Sequence, residues 1–467
     1  MAYNFRPVNR DQLYLLPPSL RDGLPEDHLA WFLIDAVEQM DLRAFRSKYR
    51  ADGWGGESDD PTMMVTLLLY AYCVGERSSR RIERLCLEDV AFRVITANQK
   101  PDHVTIARFR QRHERELAEL FTQVLRLCRE AGLGKVGVVA LDGTKVKANA
   151  SLAANRTYDA IRQEVEKMLR EAEATDREED ERYGSGRRGD ALPEELRHRA
   201  SRLERLKACK RRLEDEAARE AARQQARIEE RKAQEQATGK KRRGRKPKAP
   251  DPSVDPAAKA NVTDPDSRIM KTRQGFVQGY NAQAVVSEDQ LIVAAAVTQD
   301  ANDVGQLHPM LQQAQANLQA AGVDKPIRAV VADAGYWSEA NVKQAPVEGP
   351  ELFLATSKEW KQRQAWKDAP PPRGRIPKGL SLRERMERKL RTRRGQAIYA
   401  KRSQTVEPVF GQIKAVRGAD RFLRRGLAAC DSEWKLLCLT HNLLKLWRKV
   451  TKGSASSPFG WMAAALA

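Results

Sequence analysis

Two short apolar runs, each ending in a lone acid, constrain this chain more than any other feature. The first, 136-VGVVALDGTKVKANA-150, runs through Leu141 to the isolated carboxylate of Asp142. The second, 327-IRAVVADAGYWSEAN-341, repeats the phrase and ends at Asp333. Short apolar runs of this kind read as buried strands. A carboxylate where such a strand ends is either a turn former or a ligand held at the lip of a sheet. A third lone acid, Glu407, falls in the helical text 403-SQTVEPVFGQIKAVRG-418.

Charge narrows the partners. Of 467 residues, 83 are Lys or Arg and 63 are Asp or Glu, a formal net charge of +20. That excess points to an anionic polymer, with nucleic acid ahead of a membrane surface. The longest apolar run, residues 63–74, is too short to span a bilayer and reads as a core helix. The N-terminal text has no apolar h-region, so no secretory signal is expected. The six cysteines form no CxxC pair and lie mostly in apolar helical text, as reduced core residues of a cytosolic protein would. With six scattered histidines, a Cys/His zinc site is not expected.

Taken in order, residues 1–132 read as helical. Helices are expected over 24–40, 61–76, 78–96 and 102–132, the last with Arg108, Arg110 and Arg112 in its first half. Short helices feeding an arginine-rich one resemble a helix-turn-helix-like DNA contact. Residues 159–250 read as a charged helical hairpin that interrupts the sheet text, with a sparse leucine seam at 192, 196, 203, 206 and 213. It ends in 240-KKRRGRKPKAP-250, where Arg242, Arg243, Arg245 and Lys246 suit a phosphate-backbone or minor-groove arm. Sheet text resumes with 279-GYNAQAVV-286 and 291-LIVAAAV-297 as a hairpin, followed by a helix, the Asp333 strand, a helix and the strand 351-ELFLATS-357. The expected class is α/β, a mixed sheet with flanking helices. Residues 358–398 read as a second basic insertion, 399–450 as helices packed on the sheet, and 451–467 as a loose tail.

Two or three carboxylates at a sheet edge, without histidine or cysteine, suit Mg²⁺ or Mn²⁺, which prefer oxygen ligands. Two such ions about 4 Å apart would clamp the attacking and leaving oxygens of a phosphodiester. Lys145 and Lys147 follow Asp142, and Lys401, Arg402 and Lys414 bracket Glu407, as an anionic substrate would require. Asp300 and Asp303, further acids after the hairpin, either support the site acids or are turn and helix-cap residues, and the second reading is favoured.

At this point the chain resembles DDE transposases of the insertion-sequence type, in particular the IS1182-like group of the IS4-like set. The matching stretches are 139-VALDGTKVKANAS-151, 278-QGYNAQAVV-286, 296-AVTQDANDVGQL-307, 331-VADAGYWS-338 and 399-YAKRSQTVEPVFGQIKAVRG-418. The resemblance implies an RNase H-like core and strand cleavage and transfer at element ends. Two Mg²⁺ ions would be held by Asp142, Asp333 and Glu407. It carries the third-acid signature onto Tyr399, Arg402, Glu407 and Lys414, with Arg402 and Lys414 near the cut phosphate. The implied partners are double-stranded DNA and a second copy of the chain, since two ends must be brought together. A structure-specific metal-dependent endonuclease would share these residues. A catalytically silent DNA-binding relative would keep the arms and tolerate loss of the acids.

Overall fold

The computed structural model describes residues 19–50, 58–183, 194–239, 241, 244, 247–272, 274–357 and 370–453. It opens with α1 (Leu29–Glu38), α2 (Arg43–Arg46), α3 (Pro61–Cys73), α4 (Ser79–Glu88), α5 (Val90–Ile95), α6 (His103–Arg112) and α7 (Glu114–Glu130). Asp60 caps α3 and Pro61 takes its first position, where a missing N–H costs nothing. Every residue of α3 from Met64 to Cys73 is buried, so the long apolar run is a core helix. Among the described residues no helix is long and apolar enough to cross a membrane.

Two helices expected to be continuous are broken. At Asp89 the carboxylate accepts from the N–H groups of Ala91 and Phe92, which starts α5 afresh. At His113 the ring is buried against Phe45, Tyr49 and Phe109, and the chain turns between α6 and α7. Local capping in one case and side-chain burial in the other outweigh helical periodicity.

Then follow β1 (Val138–Lys147), β2 (Asn155–Thr157), α8 (Tyr158–Tyr183), α9 (Glu194–Thr238), β3 (Lys259–Asn261), β4 (Arg268–Thr272), β5 (Gly275–Ser287), β6 (Ile292–Thr298), α10 (Leu307–Ala320), β7 (Ala329–Ala332), α11 (Glu339–Gln344), β8 (Glu351–Leu354), α12 (Leu382–Arg391), α13 (Arg393–Gly411) and α14 (Leu427–Gly453). In the main sheet β5, β1, β7 and β8 are neighbours in that order, with β4 and β6 both pairing along the far side of β5. The β1–β5 and β5–β6 pairs are antiparallel; β1–β7 and β7–β8 are parallel. This mixed sheet with surrounding helices is consistent with an RNase H-like arrangement.

The free edge of β6 is closed by side chains. Asn442 accepts from Ile292 N–H and donates to Ile292 C=O, and Asp431 accepts from Val297 N–H. From α10, Asn317 and Gln313 donate to the carbonyls of Val293 and Ala295. A strand edge satisfied in this way offers no template for another chain. Helix α14, with Trp434, Leu437 and Leu443 fully buried, packs against α3, α7 and β6. One apolar core therefore runs unbroken from Leu29 to Val450 and joins the N-terminal helices to the sheet. The six cysteines are buried and free.

Helices α8 and α9 lie antiparallel, with Tyr158 bonded to Glu214 and Arg202 paired with Glu164. Leu206, Cys209 and Leu213 pack with Ile161 and Val165 in a small separate core, so the leucine seam binds the hairpin's base. The basic segment before Glu407 is only partly an insertion. Residues 358–369 lie outside the described residues, but 382–391 form α12, tied to β8 by Lys389 on Glu351. A capping box between Ser381 and Glu384 starts that helix, a local signal outweighed in the sequence by its density of charge.

Candidate active site

Register creates the site. Strands β1 and β7 run parallel with Leu141 opposite Ala332, and the next residue on each is an acid. Asp142 and Asp333 thus lie on adjacent strands spaced about 4.8 Å apart. Here β7 ends, whereas β1 continues, with Asp142 opposite Ala284 and Lys147 opposite Gly279 of β5. Asp142 therefore lies in mid-strand and not at the strand end that its apolar prefix implied. One neighbour stops and the other does not, so the carboxylate is both held and accessible.

The third acid arrives on α13, which packs across β1 and β7. Arg402 of this helix donates to Asp142 at 2.5 Å and to Glu407 at 3.2 Å. The guanidinium and Asp142 are largely buried, while the Glu407 side chain is 57% exposed. Pro408 follows, and the helix widens into a π-turn over Gln412–Val416, a distortion common at functional sites. Lys414, expected near the cut phosphate, lies in that π-turn. Its ammonium donates to Thr144 Oγ1 at 3.0 Å and to the Lys145 carbonyl at 2.9 Å. It pins the helix to β1 just beyond Asp142.

Burial pushes the Asp142 carboxyl up to about 6, against the pull of Arg402 and with the added repulsion of Asp333 and Asp303. Asp333 is oriented locally, Oδ1 accepting from Gly335 N–H at 2.7 Å. Gly335 leaves room beside Asp333, whereas the space at Gly143 is taken by the Gln283 amide. A Cβ on Gly335 would lie 2.8 Å from Asp333 Oδ1 and 3.0 Å from Asp303 Oδ2.

Asp303, expected either to support the site acids or to cap a helix, does not cap. It heads a short 3₁₀ turn, Val304–Gln306, but its side chain makes no capping bond. Instead Oδ1 accepts from Asn281 at 2.7 Å and Gln283 at 2.8 Å, and Oδ2 lies 3.0 Å from where a Gly335 Cβ would be. Asp300 does fit the turn reading: its N–H bonds Thr298 and its carboxylate accepts from Gln306. The alternation in 280-YNAQAVV-286 was the available signal, since it puts two amides, Asn281 and Gln283, in a strand otherwise built of core residues.

The basic residues sort differently from expectation. Arg110, expected as a DNA contact, is buried, bonded to Tyr72, Ser79 and the Arg77 carbonyl, because its helix turns that face to α3 and α4. Arg108 is exposed, and Arg112 lies over the Tyr49 ring at 4.5 Å. Lys145 donates to the Ala301 carbonyl and Lys147 pairs with Asp420. Tyr399 packs half-buried against the core beside Arg402, and Lys401 pairs with Glu288. Arg242, Arg243, Arg245 and Lys246 lie outside the described residues. Beyond Lys147, a groove lined by Asn149, Phe276, Arg421 and Arg425 continues the line of β1.

Among the described residues no three acidic, histidine or cysteine side chains form a ready metal-ligand cluster. The donor chemistry of Asp142, Asp333 and Glu407 nevertheless fits a hard divalent ion, being carboxylate oxygen alone. The Arg402 guanidinium stands where positive charge is wanted, between Asp142 and Glu407.

Residues 376–447, which include Glu407, match a family model described as a transposase DDE domain. Residues 18–112, the N-terminal helices, match a second model, described as a transposase domain. Neither match includes Asp142 or Asp333. No curated protein and no solved structure matches the chain. The two matches lie at opposite ends of one continuous core, and both models are described as transposase domains.

Proposed function

We propose that the chain is a DDE-type transposase of the IS1182-like group, with an RNase H-like core that cleaves and joins DNA at the ends of an insertion element. The observation that carries this reading is the adjacency of Asp142 and Asp333 on parallel strands, with Glu407 joined to Asp142 through Arg402. Asp142, Asp333 and Glu407 would hold two Mg²⁺ or Mn²⁺ ions. Bound there, the ions would supply Lewis-acid stabilisation of the attacking and leaving oxygens.

The chain's own groups do the rest. Burial of Asp142 keeps water from screening charge at the reacting phosphate. Lys414, anchored on Thr144, holds the Glu407 helix at a set distance from β1. Arg402 can exchange a carboxylate for a phosphate, since its planar fork suits either. The exposed Arg421 and Arg425, with Phe276, would track the duplex away from the cut. Partners on this reading are double-stranded DNA and a second copy of the chain.

The test is cleavage of the DNA flanking the coding sequence, with and without Mg²⁺, mapped to the nucleotide. Metal-dependent nicks at paired inverted repeats, lost in Asp142→Ala with DNA binding kept, are expected. Nicks placed by DNA structure without such repeats would favour an endonuclease, and unchanged cleavage by Asp142→Ala would sink the assignment.

A further inference from the structure

We infer that helix α6 lies in the major groove of a duplex and reads base edges with Val104, Arg108 and Gln111. The inference rests on the proposed action at DNA ends, and it adds the residues that would tell one sequence from another.

Helical geometry sorts α6 into two faces. Ile106, Phe109 and Arg110 are buried and, at about 100° per residue, share one arc of roughly 100°. Val104, Arg108 and Gln111 are exposed and share the opposite arc, within about 60° of one another. Beside them stands Ala107, also exposed and too small to hold a groove wall away.

The inward face is fixed by bonds as well as by apolar contact. Arg110 donates to the Arg77 carbonyl at 2.8 Å, to the Tyr72 hydroxyl at 3.3 Å and to Ser79 at the start of α4. His103 is bonded to Glu83 of α4 at 2.8 Å. These contacts set α4 across the back of α6, and a groove-reading helix is held by its predecessor in the same way. Asp102 caps α6 by accepting from Thr105 N–H at 2.6 Å, and Lys48 donates to the Arg112 carbonyl at the other end. A helix clamped at both ends and along one side loses little freedom on binding.

Charge decides the occupant. Between Ser79 and Arg112 there are eight Lys or Arg and four Asp or Glu. All four acids are engaged: Glu83 with His103, Glu88 with Arg84, and Asp89 and Asp102 as caps on backbone N–H groups. Arg80, Lys100, Arg108 and Arg112 meanwhile face solvent. One valine is too little apolar surface for the core of a protein interface. A groove floor, by contrast, can use every member of the row. Arginine spans guanine O6 and N7, glutamine spans adenine N6 and N7, and valine meets a thymine methyl. Lys100 before the helix and Arg112 at its end, the latter held over the Tyr49 ring, would take phosphates at the groove's rims.

The experiment measures binding of the full chain by fluorescence anisotropy, without divalent ions. The probes are duplexes tiling the DNA that flanks the coding sequence, and one duplex of shuffled sequence. Wild type is expected to prefer a flanking duplex. Arg108→Lys keeps the charge and loses the planar fork, and Gln111→Ala changes no charge. Each should lose about tenfold on the preferred duplex while staying within about twofold of wild type on the shuffled one. Arg112→Ala should instead weaken both alike, as loss of a phosphate contact does. Circular dichroism should match wild type throughout, since these side chains are exposed. No preference in wild type, a preference that survives both Arg108→Lys and Gln111→Ala, or an equal loss on both duplexes would overturn the inference. Metal-dependent cleavage of the flanking DNA by wild type would then leave the functional reading standing. A preference carried by α6, on a duplex that wild type never cuts in Mg²⁺, would support the inference and defeat the functional reading.

Discussion

Arg402 reaches from helix α13 to strand β1 and donates to Asp142 at 2.5 Å, while its other terminal nitrogen donates to Glu407 at 3.2 Å. One guanidinium therefore holds together two acids that are 265 positions apart in the chain. A divalent ion at these carboxylates must compete with it.

Arg402→Gln leaves Asp142 and Glu407 without that partner. The guanidinium is largely buried, so a loss of about 1–3 kcal/mol is expected, below the value for a fully buried pair because Glu407 is solvated. Thermal melts should show Mn²⁺ restoring more stability to the variant than it adds to wild type. Equal Mn²⁺ shifts would mean that arginine and ion do not share a site.

Asp142→Asn sets two effects against each other. It weakens the bond to Arg402, and it removes a negative charge that burial disfavours. The carboxyl is raised to about 6 even with Arg402 beside it, so the net environment already prefers the neutral form. The folded chain therefore holds a proton that the unfolded chain releases near the ordinary value of 3.8, and stability falls as pH rises from there through 6. Asn should stabilise the metal-free protein by roughly 2–3 kcal/mol at pH 7.5, and by almost nothing near pH 4. Urea midpoints at the two pH values check this, and a lower midpoint for the variant at pH 7.5 would contradict it.

Arg77, in the turn before α4, forms a nearly solvent-free pair with Glu433 of α14 at 2.9 Å. It also donates to the carbonyls of Arg421 and Gly418, while Glu433 accepts from the N–H groups of Leu423 and Arg424. Arg77→Ala should cost about 3–5 kcal/mol, since it strands a buried carboxylate. Combining it with Glu433→Gln should recover part of that loss, and urea unfolding of both variants measures the difference.

Two buried histidines set an acid limit. Burial, with Lys48 nearby, pushes His113 down to about 4; burial, with Arg417 nearby, pushes His441 down to about 3. The unfolded chain takes up protons at the ordinary 6.5, so their contribution is complete above that pH and is lost as pH falls toward 4 and then 3. The urea midpoint should drop across this window. His441→Gln should make the drop shallower, whatever it does to stability at neutral pH, and an unchanged slope would exclude His441 as a source.

Much was legible from local pattern. The apolar runs before Asp142 and Asp333, the β5–β6 hairpin, the buried α3 and the charged hairpin are all short-range consequences of periodicity and of which residues avoid water. That Asp142 and Asp333 follow two apolar strand-like runs was legible too, although a lone acid there could equally have been a turn former. Arg110, Asp303 and Lys414 were not legible. Each looks like an exposed or capping residue in the linear text, and each takes its role from a partner on another element.

The sequence by itself determined that this chain makes two apolar strands carrying lone acids, a helix carrying a third acid, and a large excess of basic residues. Only the tertiary structure decided that Leu141 stands opposite Ala332, which brings Asp142 beside Asp333. It alone decided that Arg402 spans to Glu407 and that Asp303 turns inward. The reason is physical: strand formation follows from a few neighbouring side chains, whereas register and inward direction are set by backbone pairing and burial between segments remote in the chain.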